Sequence, residues 1–339
     1  MDLLSYSQGG GCGCKIDSGT LSQILESIPK NTNPDVLNSF LQKEDSATIK
    51  LNDSIIQTSI DFSSPIVNDL YAFGQISAAN SLSDIYASGG IPKFATVILG
   101  VPKSFSVEET RKILSGVVAI CQSVGVDIVG GHTINNQQPI CGLSVIGLQN
   151  ENYSNLNTIL TEDCDLFITK PLGTGLSYQS NKLDDFDTLR LSALESMIEV
   201  NDLPDKFDIN PGILGMTDVT GYGLLGHLVE LGNRLNVQFS LNQAAIPIFE
   251  GLDITQLQKL ETSSGKKNWI NYGANIKGLT EQTRIIISDP QTNGGLLLLV
   301  DRCKSAELIE KYQKKKMQIY KIGEGIVRNN QNSLIECQP

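Results

Sequence analysis

Two aspartates flank a predicted hairpin in a way that could serve a metal ion. Residues 47–51 and 55–60 are predicted to be two strands, and Asn52-Asp53 between them tolerates the positive φ of a tight turn. That pairing places Asp45 and Asp61 at the same open end of the hairpin. Carboxylates brought together repel each other unless something positive lies between them. The pattern therefore indicates a metal, or a phosphate carried with a metal.

A predicted helix over residues 73–88 places Asn80 and Asp84 on one face, because they are four residues apart. It ends at Gly89-Gly90, a combination typical of a helix C-terminus. By spacing alone, the two polar residues are more typical of a solvated helix face than of a site.

A strand–helix–strand unit follows, with strands at residues 94–99 and 126–129 that should be parallel. Its helix opens with the capping box Ser106-Val107-Glu108-Glu109. The second strand delivers Gly130-Gly131-His132-Thr133 at its carboxyl end, where bare backbone amides can approach an anion. Taken alone, that segment is more typical of a tight turn.

Two glycine-rich segments resemble phosphate-binding motifs without meeting their requirements. In the first, Cys14 precedes Lys15 where a phosphate loop needs glycine, and Ile16 follows where it needs Ser or Thr. The second, residues 221–226, has the spacing of the dinucleotide fingerprint. The segment before it is polar and the expected acidic residue is missing, so we do not predict a nicotinamide site.

The N-terminal residues 1–20 are polar and glycine-rich, and we predict a mobile arm there. It contains Cys12 and Cys14, separated by one glycine. A structural zinc site needs four ligands in paired spacing, and no second cysteine pair completes one. An odd total of seven cysteines also argues against a disulfide framework.

Length and composition bound the class of protein. A chain of 339 residues predicts about two domains, with a boundary near the polar stretch that ends around residue 155. The net charge of −11 argues against nucleic-acid or anionic-membrane partners, which need a basic surface. No apolar run approaches the ~18 residues of a membrane helix, and no signal peptide is apparent. We therefore expect a cytoplasmic protein.

Taken in order, the motifs resemble those of one family, selenophosphate synthetase, also called selenide, water dikinase. The resemblance runs through nearly the whole chain, and the ordered set is far more specific than any single motif. The segments that carry it are Tyr6-Ser7-Gln8-Gly9, Cys12-Gly13-Cys14-Lys15, Asp45, Asp61, Phe73-Gly74, Asn80 through Asp84, Gly89-Gly90, Gly130-Gly131-His132, Thr169-Lys170-Pro171-Leu172-Gly173, Thr217-Asp218 through His227, and Asp289 through Leu296.

The resemblance implies an enzyme that makes selenophosphate from selenide and water with ATP, releasing AMP and orthophosphate. It implies the two-domain α+β fold of the aminoimidazole-ribotide-synthetase-like superfamily. Residues 21–155 would form an ATP-binding and dimerisation domain and residues 156–339 an α/β domain. In a homodimer, the N-terminal sheets of two chains would join in an interfacial barrel. Mg²⁺ would be the cofactor, and a requirement for K⁺ stays open.

Residue roles follow from the same resemblance. Cys12 matches the nucleophile or selenium-handling position, and Lys15 would favour its thiolate or contact a transferring phosphate. Closure of the arm would exclude water. The metal ligands would be Asp45, Asp84 and Asp218. ATP would be bound by Lys15, Lys43, Glu44, Asp61, Asp84, Gly131, His132 and Thr133. Whether the last three reach the nucleotide across the dimer stays open.

The chain departs from the family pattern at three places. Gln8 stands where many relatives have His, Glu44 replaces the first of two paired aspartates, and Asn293 replaces a common Ser. We expect the first two to bear on nucleotide binding and the third to have no consequence. His227 is predicted to be a packed helix residue and not a catalyst.

Two rival interpretations remain. Aminoimidazole-ribotide synthetases and thiamine-phosphate kinases share the carboxylate and glycine framework but lack the Gly-Cys-Gly-Cys-Lys segment. A non-catalytic protein that carries metal or selenium on Cys12 and Cys14 would leave Asp45, Asp61, Asp84 and Asp218 without a purpose.

Overall fold

The computed structural model describes residues 2–6, 10–16, 18–29, 32–38, 44–149, 156–180, 187–203, 212–328 and 334–338. Two sheets organise this part of the chain, one in each half. None of the helices described there is long and apolar enough to cross a membrane.

The N-terminal half forms a five-stranded sheet in the order β1-β2-β5-β3-β4. The predicted hairpin is confirmed, because Leu51 pairs with Ser54 around Asn52, whose φ is 54°. The predicted parallel pairing of β3 with β4 is confirmed as well. The strands are β1 (Ala47–Leu51), β2 (Ser54–Ser63), β3 (Gly90–Val101), β4 (Asp127–Asn135) and β5 (Ile140–Gln149).

Helices cover one face of this sheet. The helix α1 (Ser18–Glu26) precedes the sheet, and α2 (Leu70–Ala87) and α3 (Val107–Ser123) pack against each other on it. Asp69 caps α2 by accepting from the N–H of Ala72, and the predicted capping box of α3 is present. Because α2 is buried on nearly every side, it lacks the polar stripe of a surface helix.

The C-terminal half forms a seven-stranded mixed sheet in the order β7-β10-β6-β11-β8-β12-β9. Most of its pairings are antiparallel, and β12 is parallel to β8 and β9. The strands are β6 (Cys164–Ile168), β7 (Ile213–Asp218), β8 (Val237–Asn242), β9 (Ile276–Lys277), β10 (Leu296–Asp301), β11 (Tyr320–Val327) and β12 (Ile335–Gln338).

Helices pack around this second sheet, and buried leucines and isoleucines fill the space between. The helices are α4 (Thr174–Ser180), α5 (Asp187–Ile198), α6 (Gly223–Leu235), α7 (Leu257–Leu260), α8 (Ser263–Tyr272), α9 (Glu281–Ser288) and α10 (Ser305–Lys314). Short 3₁₀ helices occur at Leu3–Tyr6, Cys12–Cys14, Gln243–Ala245, Gly273–Asn275 and Arg302–Lys304.

Two expectations from the sequence are wrong. The segment 130–133 does not follow the carboxyl end of a strand, because β4 continues through it as far as Asn135. The segment before Gly221 is not a polar loop, because it contains the buried strand β7. Residues 221–226 still lack a dinucleotide-binding context, since β7 and β8 are not neighbours in the sheet and β7 pairs antiparallel with β10.

Candidate functional site

A cavity of about 390 Å³ opens where the two halves of the chain meet. Such clefts between domains are common places for small-molecule sites. The N-terminal half contributes Lys15, Leu21, Leu25, Glu44, Asp45, Ile60 and Asp84, and the C-terminal half contributes Thr217, Asp218, Thr220, Gly221, Tyr222, His227, Glu230, Leu231 and Arg234.

The three predicted metal ligands all line this cavity, each from a different part of the fold. Asp45 precedes β1, Asp84 lies on the last turn of α2, and Asp218 ends β7. Thr217 connects the two halves directly, since its hydroxyl donates to Asp45 Oδ1 at 2.9 Å. The sequence separation of 172 residues across that bond is why no local pattern could place these carboxylates together.

The three carboxylates destabilise one another's charges. Burial raises the pKa of Asp45 and of Asp84 well above the ordinary value, and the charge of Asp218 raises both further. Burial likewise raises the pKa of Asp218. The Oδ2 atoms of Asp45 and Asp218 are buried without a hydrogen-bond partner. Orphaned, mutually repelling oxygens of this kind suit a divalent cation, which prefers carboxylate ligands.

The protein groups do not complete a metal shell by themselves. Among the residues that the structure describes, no three Asp, Glu, His or Cys side chains converge as ligands of one ion. A cation held here would need oxygens from a bound ligand as well. That is the usual situation of Mg²⁺ in phosphate-binding sites, where one or two carboxylates and phosphate oxygens share the ion.

Two cationic side chains, Lys15 and Arg234, line the cavity. Lys15 Nζ lies 3.0 Å from Asp61 Oδ2, and Arg234 Nη1 lies 3.4 Å from Glu44 Oε2. Burial by itself would lower the pKa of Lys15, but Asp61, Cys12 and Asp84 outweigh it and raise that pKa well above the usual value. Lys15 therefore stays an ammonium ion, which suits contact with phosphate.

The cysteine arm, meaning residues 10–16, is docked between the two halves. Gly11 donates its N–H to the carbonyl of Ser64, and the Cys12 N–H donates to Thr292 Oγ1 at 3.1 Å. Ser264 donates its hydroxyl to the carbonyl of Gly13 at 2.8 Å. The side chain of Cys12 is buried, and its Sγ lies 3.3 Å from Asn80 Oδ1. The predicted mobility of residues 1–20 stays a prediction.

Docking of the arm depends on glycine at position 11. Gly11 has a φ of 54°, and a Cβ there would collide with Thr292 Oγ1. We expect Gly11→Ala to undock the arm, because strain of this kind costs about 1–3 kcal/mol. Trypsin should then cleave after Lys15 about tenfold faster than in the wild type. Gly13→Ala is the matched control, since a Cβ there meets only ordinary contacts, and equal cleavage of both variants would contradict the prediction.

The loop at residues 289–295 supports the arm through contacts that no local sequence pattern indicated. The side chain of Gln291 accepts from the N–H groups of Gly173 and Thr174, and Asp289 accepts from those of Gly175 and Leu176. The loop is thereby fixed at the start of α4. Its fixed position presents Thr292 to Cys12.

Asn293 is more constrained than the sequence indicated. It is fully buried, has a φ of 49°, and donates from Nδ2 to the carbonyls of Met197 and Glu199. Asparagine tolerates this left-handed backbone better than most residues. Buried Lys170 donates to the carbonyls of Glu199 and Asn293. Nothing in the sequence singled out these contacts.

Other predicted site residues fall outside the cavity or outside the description. Gly131, His132 and Thr133 lie on the exposed edge strand β4 and do not line the cavity. Lys43 and Gln8 are outside the described residues.

Glu44 and His227 both line the cavity. The Glu44 carboxylate is paired with Arg234, as given above. His227 is buried on α6, and its Nε2 accepts from the N–H of Thr220 at 3.0 Å. Burial lowers the pKa of His227 to about 3, so the imidazole is neutral. The packing of His227 on α6 agrees with the prediction, and its having no catalytic role stays a prediction.

The fold and this interdomain carboxylate site define the class to which the chain belongs. It is a member of the AIR synthase related proteins: residues 43–149 match the family's N-terminal domain and residues 163–333 its C-terminal domain. A thiamine monophosphate kinase from Aquifex aeolicus has the same fold, with a TM-score of 0.65 at 14% identity, covering 94% of this chain and 96% of that one. A HypE–HypF complex gives a TM-score of 0.66 at 18% identity, covering 95% and 96%.

Sequence relatives place the chain more narrowly. It is 35% identical to a selenide, water dikinase of Sulfurimonas denitrificans over 95% of both chains. It is 34% identical to one of Pasteurella multocida, over 98% of this chain and 96% of the relative. The chain belongs to the selenide, water dikinase family, the enzymes that synthesise selenophosphate with ATP. The resemblance seen in the sequence is confirmed.

Proposed function

We propose that the interdomain cavity is where this chain binds ATP and Mg²⁺ and converts selenide and water to selenophosphate, AMP and orthophosphate. The observation that carries the proposal is the meeting of Asp45, Asp84 and Asp218 beside Lys15. A site with that many carboxylates binds a polyanion only when metal ions neutralise both partners.

Asp45, Asp84 and Asp218 would hold Mg²⁺ ions together with phosphate oxygens, as the orphaned oxygens and raised pKa values support. When bound, Mg²⁺ supplies positive charge that offsets the charge developing on phosphoryl oxygens. Thr217 keeps Asp45 oriented through its hydroxyl. A further requirement for K⁺ stays open.

Nucleotide contacts are proposed for the groups that surround these aspartates. Lys15 would exchange its pairing with Asp61 for contact with a phosphate. We keep Lys43, Glu44, Asp61 and Asp84 as ATP-binding residues. The carboxylate of Glu44 pairs with Arg234 at the wall of the cavity. The guanidinium of Arg234 could there contact phosphate oxygens.

Cys12 is proposed as the nucleophile or the residue that handles selenium. Its thiol lies in the same hydrogen-bonded network as Lys15, through Asn80 and Asp61. The field of Lys15 favours a thiolate. Residues 1–20 would act as an arm that closes over the site and shields the reacting groups from bulk solvent. Residues 21–155 and 156–339 remain our proposed domains.

We also propose a homodimer formed through the uncovered face of the five-stranded sheet. α2 and α3 cover one face, and the other exposes apolar side chains that adjoin one another across the strands. Such a contiguous apolar patch is typical of a protein interface. The exposed residues are Ile60 (61%), Phe62 (48%), Phe94 (46%), Ile146 (44%) and Leu148 (42%).

This arrangement would give Gly131, His132 and Thr133 a purpose. They lie on β4 at one edge of the sheet, and β1, which follows Asp45, lies at the other edge. Closing two sheets into a barrel would bring β4 of one chain next to β1 of its partner. The three residues would then reach the partner's nucleotide, as the resemblance implies.

We expect Ile146→Asp to convert a dimer into a monomer, because it places a carboxylate in the middle of the apolar patch. Analytical ultracentrifugation should give twice the 36.8 kDa of one chain for the wild type and a single-chain mass for the variant. Ile270→Asp on α8, at a residue that is 79% exposed, is the matched control and should stay dimeric. A monomeric wild type would refute the interface.

Anaerobic ³¹P NMR of the protein with ATP, Mg²⁺ and selenide tests the reaction. We expect a selenophosphate resonance together with AMP and orthophosphate in matching amounts. Selenophosphate and its matching AMP should not form when selenide is left out. ATP consumed without selenophosphate would refute the proposed reaction and favour the related kinases and synthetases. If the folded protein consumes no ATP, the non-catalytic protein that carries metal or selenium is favoured instead.

A further inference from the structure

Asn80 is the centre of the network that holds the cysteine arm. It lies on α2, is 2% exposed, and contacts three separate segments. Its Oδ1 lies 3.3 Å from Cys12 Sγ and accepts from the N–H of Asn293 at 2.8 Å. Its Nδ2 donates to Asp61 Oδ2 at 2.8 Å, the same oxygen that binds Lys15.

These neighbours determine which end of the amide faces the cysteine. If the amide were reversed, its NH₂ group would face the N–H of Asn293 and its oxygen would face the carboxylate of Asp61. Both contacts would be repulsive, so the observed orientation is fixed. Cys12 therefore faces an acceptor oxygen, and only a thiol, which has an S–H to donate, is bound favourably there.

The docked pose also shields the sulfur. Cys12 is 1% exposed, with Thr292 holding its backbone N–H and Asn80 its side chain. A substrate cannot reach a sulfur buried in this way. The charged groups of the network are Lys15, on the arm itself, and Asp61, on β2, and they neutralise each other at 3.0 Å. The pose is thus that of a protected sulfur held against Asn80 Oδ1.

We propose that Asn80 is a positioning residue that holds the Cys12 thiol in a closed resting pose, and that the sulfur must leave Asn80 before it reacts. The importance of this step for catalysis rests on the proposed role of Cys12. The pose itself does not, because it can be measured without ATP or selenide. A Cys12 sulfur that has lost its proton can no longer donate to Asn80 Oδ1. Loss of the proton and release of the sulfur from Asn80 therefore accompany each other.

Alkylation by iodoacetamide, followed residue by residue by peptide mass spectrometry, measures the pose directly. The chain provides its own references: Cys303 is exposed, and Cys141 is fully buried in the N-terminal core. In the wild type we expect Cys12 to react at least about tenfold more slowly than Cys303. In Asn80→Ala, Cys12 should approach the rate of Cys303 while Cys141 stays unmodified.

A second variant separates release from loss of fold. Thr292→Val keeps the side-chain shape but removes the acceptor of the Cys12 N–H. It should accelerate modification of Cys12 by a smaller factor, again with Cys141 protected. If Cys141 also reacts in Asn80→Ala, that variant has lost part of its fold. The Thr292→Val variant alone then tests the proposal. A wild-type Cys12 as reactive as Cys303, or variants that leave its rate unchanged, would overturn the proposal. Failure of Cys12→Ser to affect turnover would instead refute the catalytic role.

Discussion

Replacing Asp218 with asparagine is expected to stabilise the metal-free protein while it abolishes selenophosphate synthesis. The carboxylate is 2% exposed, and its Oδ2 has no hydrogen-bond partner. It also raises the pKa of both Asp45 and Asp84. The amide is similar in shape but uncharged, so it removes the repulsion. As a metal ligand it is much weaker, and turnover should fall by about 100-fold or more.

The stability gain should depend on pH in a defined direction. The folded-state pKa of Asp218 is raised, so the folded protein binds a proton at pH values where the unfolded chain has lost it. Stability therefore falls as pH rises from the ordinary carboxyl pKa, near 4, towards the raised value. Asparagine never ionises. The advantage of the variant over the wild type should therefore grow as pH rises through that window.

Thermal unfolding in EDTA at pH 5, 6.5 and 8 checks this prediction. Comparing variant with wild type at each pH cancels other groups, such as His227 and Asp289, that titrate in both proteins. Asp253→Asn is the contrasting control, because hydrogen bonds from Thr255 lower the pKa of that exposed carboxyl. Its replacement should not stabilise the protein. An Asp218→Asn variant that melts below the wild type at every pH would show that the carboxylate supports the fold.

Local patterns predicted the elements well where the spacing of apolar residues agrees with the residues that begin or end an element. The hairpin turn at Asn52, the capping box at Ser106 and the parallel pairing of β3 with β4 were all recoverable from the sequence. Each depends on residues close together in the chain. The strand β7 was not recoverable, because Gly215 and Thr217 interrupt its short apolar run.

The environment of Asn80 and Asp84 was not recoverable from the sequence either. Their spacing correctly places them on one helix face, but spacing alone favoured a solvated face. α2 is instead buried between the sheet, α3, α5 and β7, and Asn80 and Asp84 on it face the site and not solvent. Contacts with partners as distant as Asn293, 213 residues away, leave no local pattern. Only the resemblance to a family assigned a role to Asp84, and nothing assigned one to Asn80 or Thr292.

Cys12→Ser is expected to eliminate selenophosphate synthesis without disturbing the docked arm. The serine hydroxyl is smaller than the thiol but can donate to the same Asn80 Oδ1, and the backbone contact with Thr292 is unaffected. The arm should therefore still dock and protect Lys15 from trypsin. The chemistry should fail, because a hydroxyl does not ionise near neutral pH and is a far weaker nucleophile towards phosphorus than a thiolate.

We expect at least about a 100-fold loss of selenophosphate in ³¹P NMR, with little change in the affinity for Mg²⁺-ATP. The aspartates that would bind the nucleotide with Mg²⁺ are unchanged, and isothermal titration calorimetry measures that affinity. Cys303→Ser, at an exposed cysteine away from the cavity, is the matched control and should retain full turnover. A Cys12→Ser enzyme that still makes selenophosphate at the wild-type rate would move the chemistry from the sulfur to Lys15 and the metal-binding aspartates.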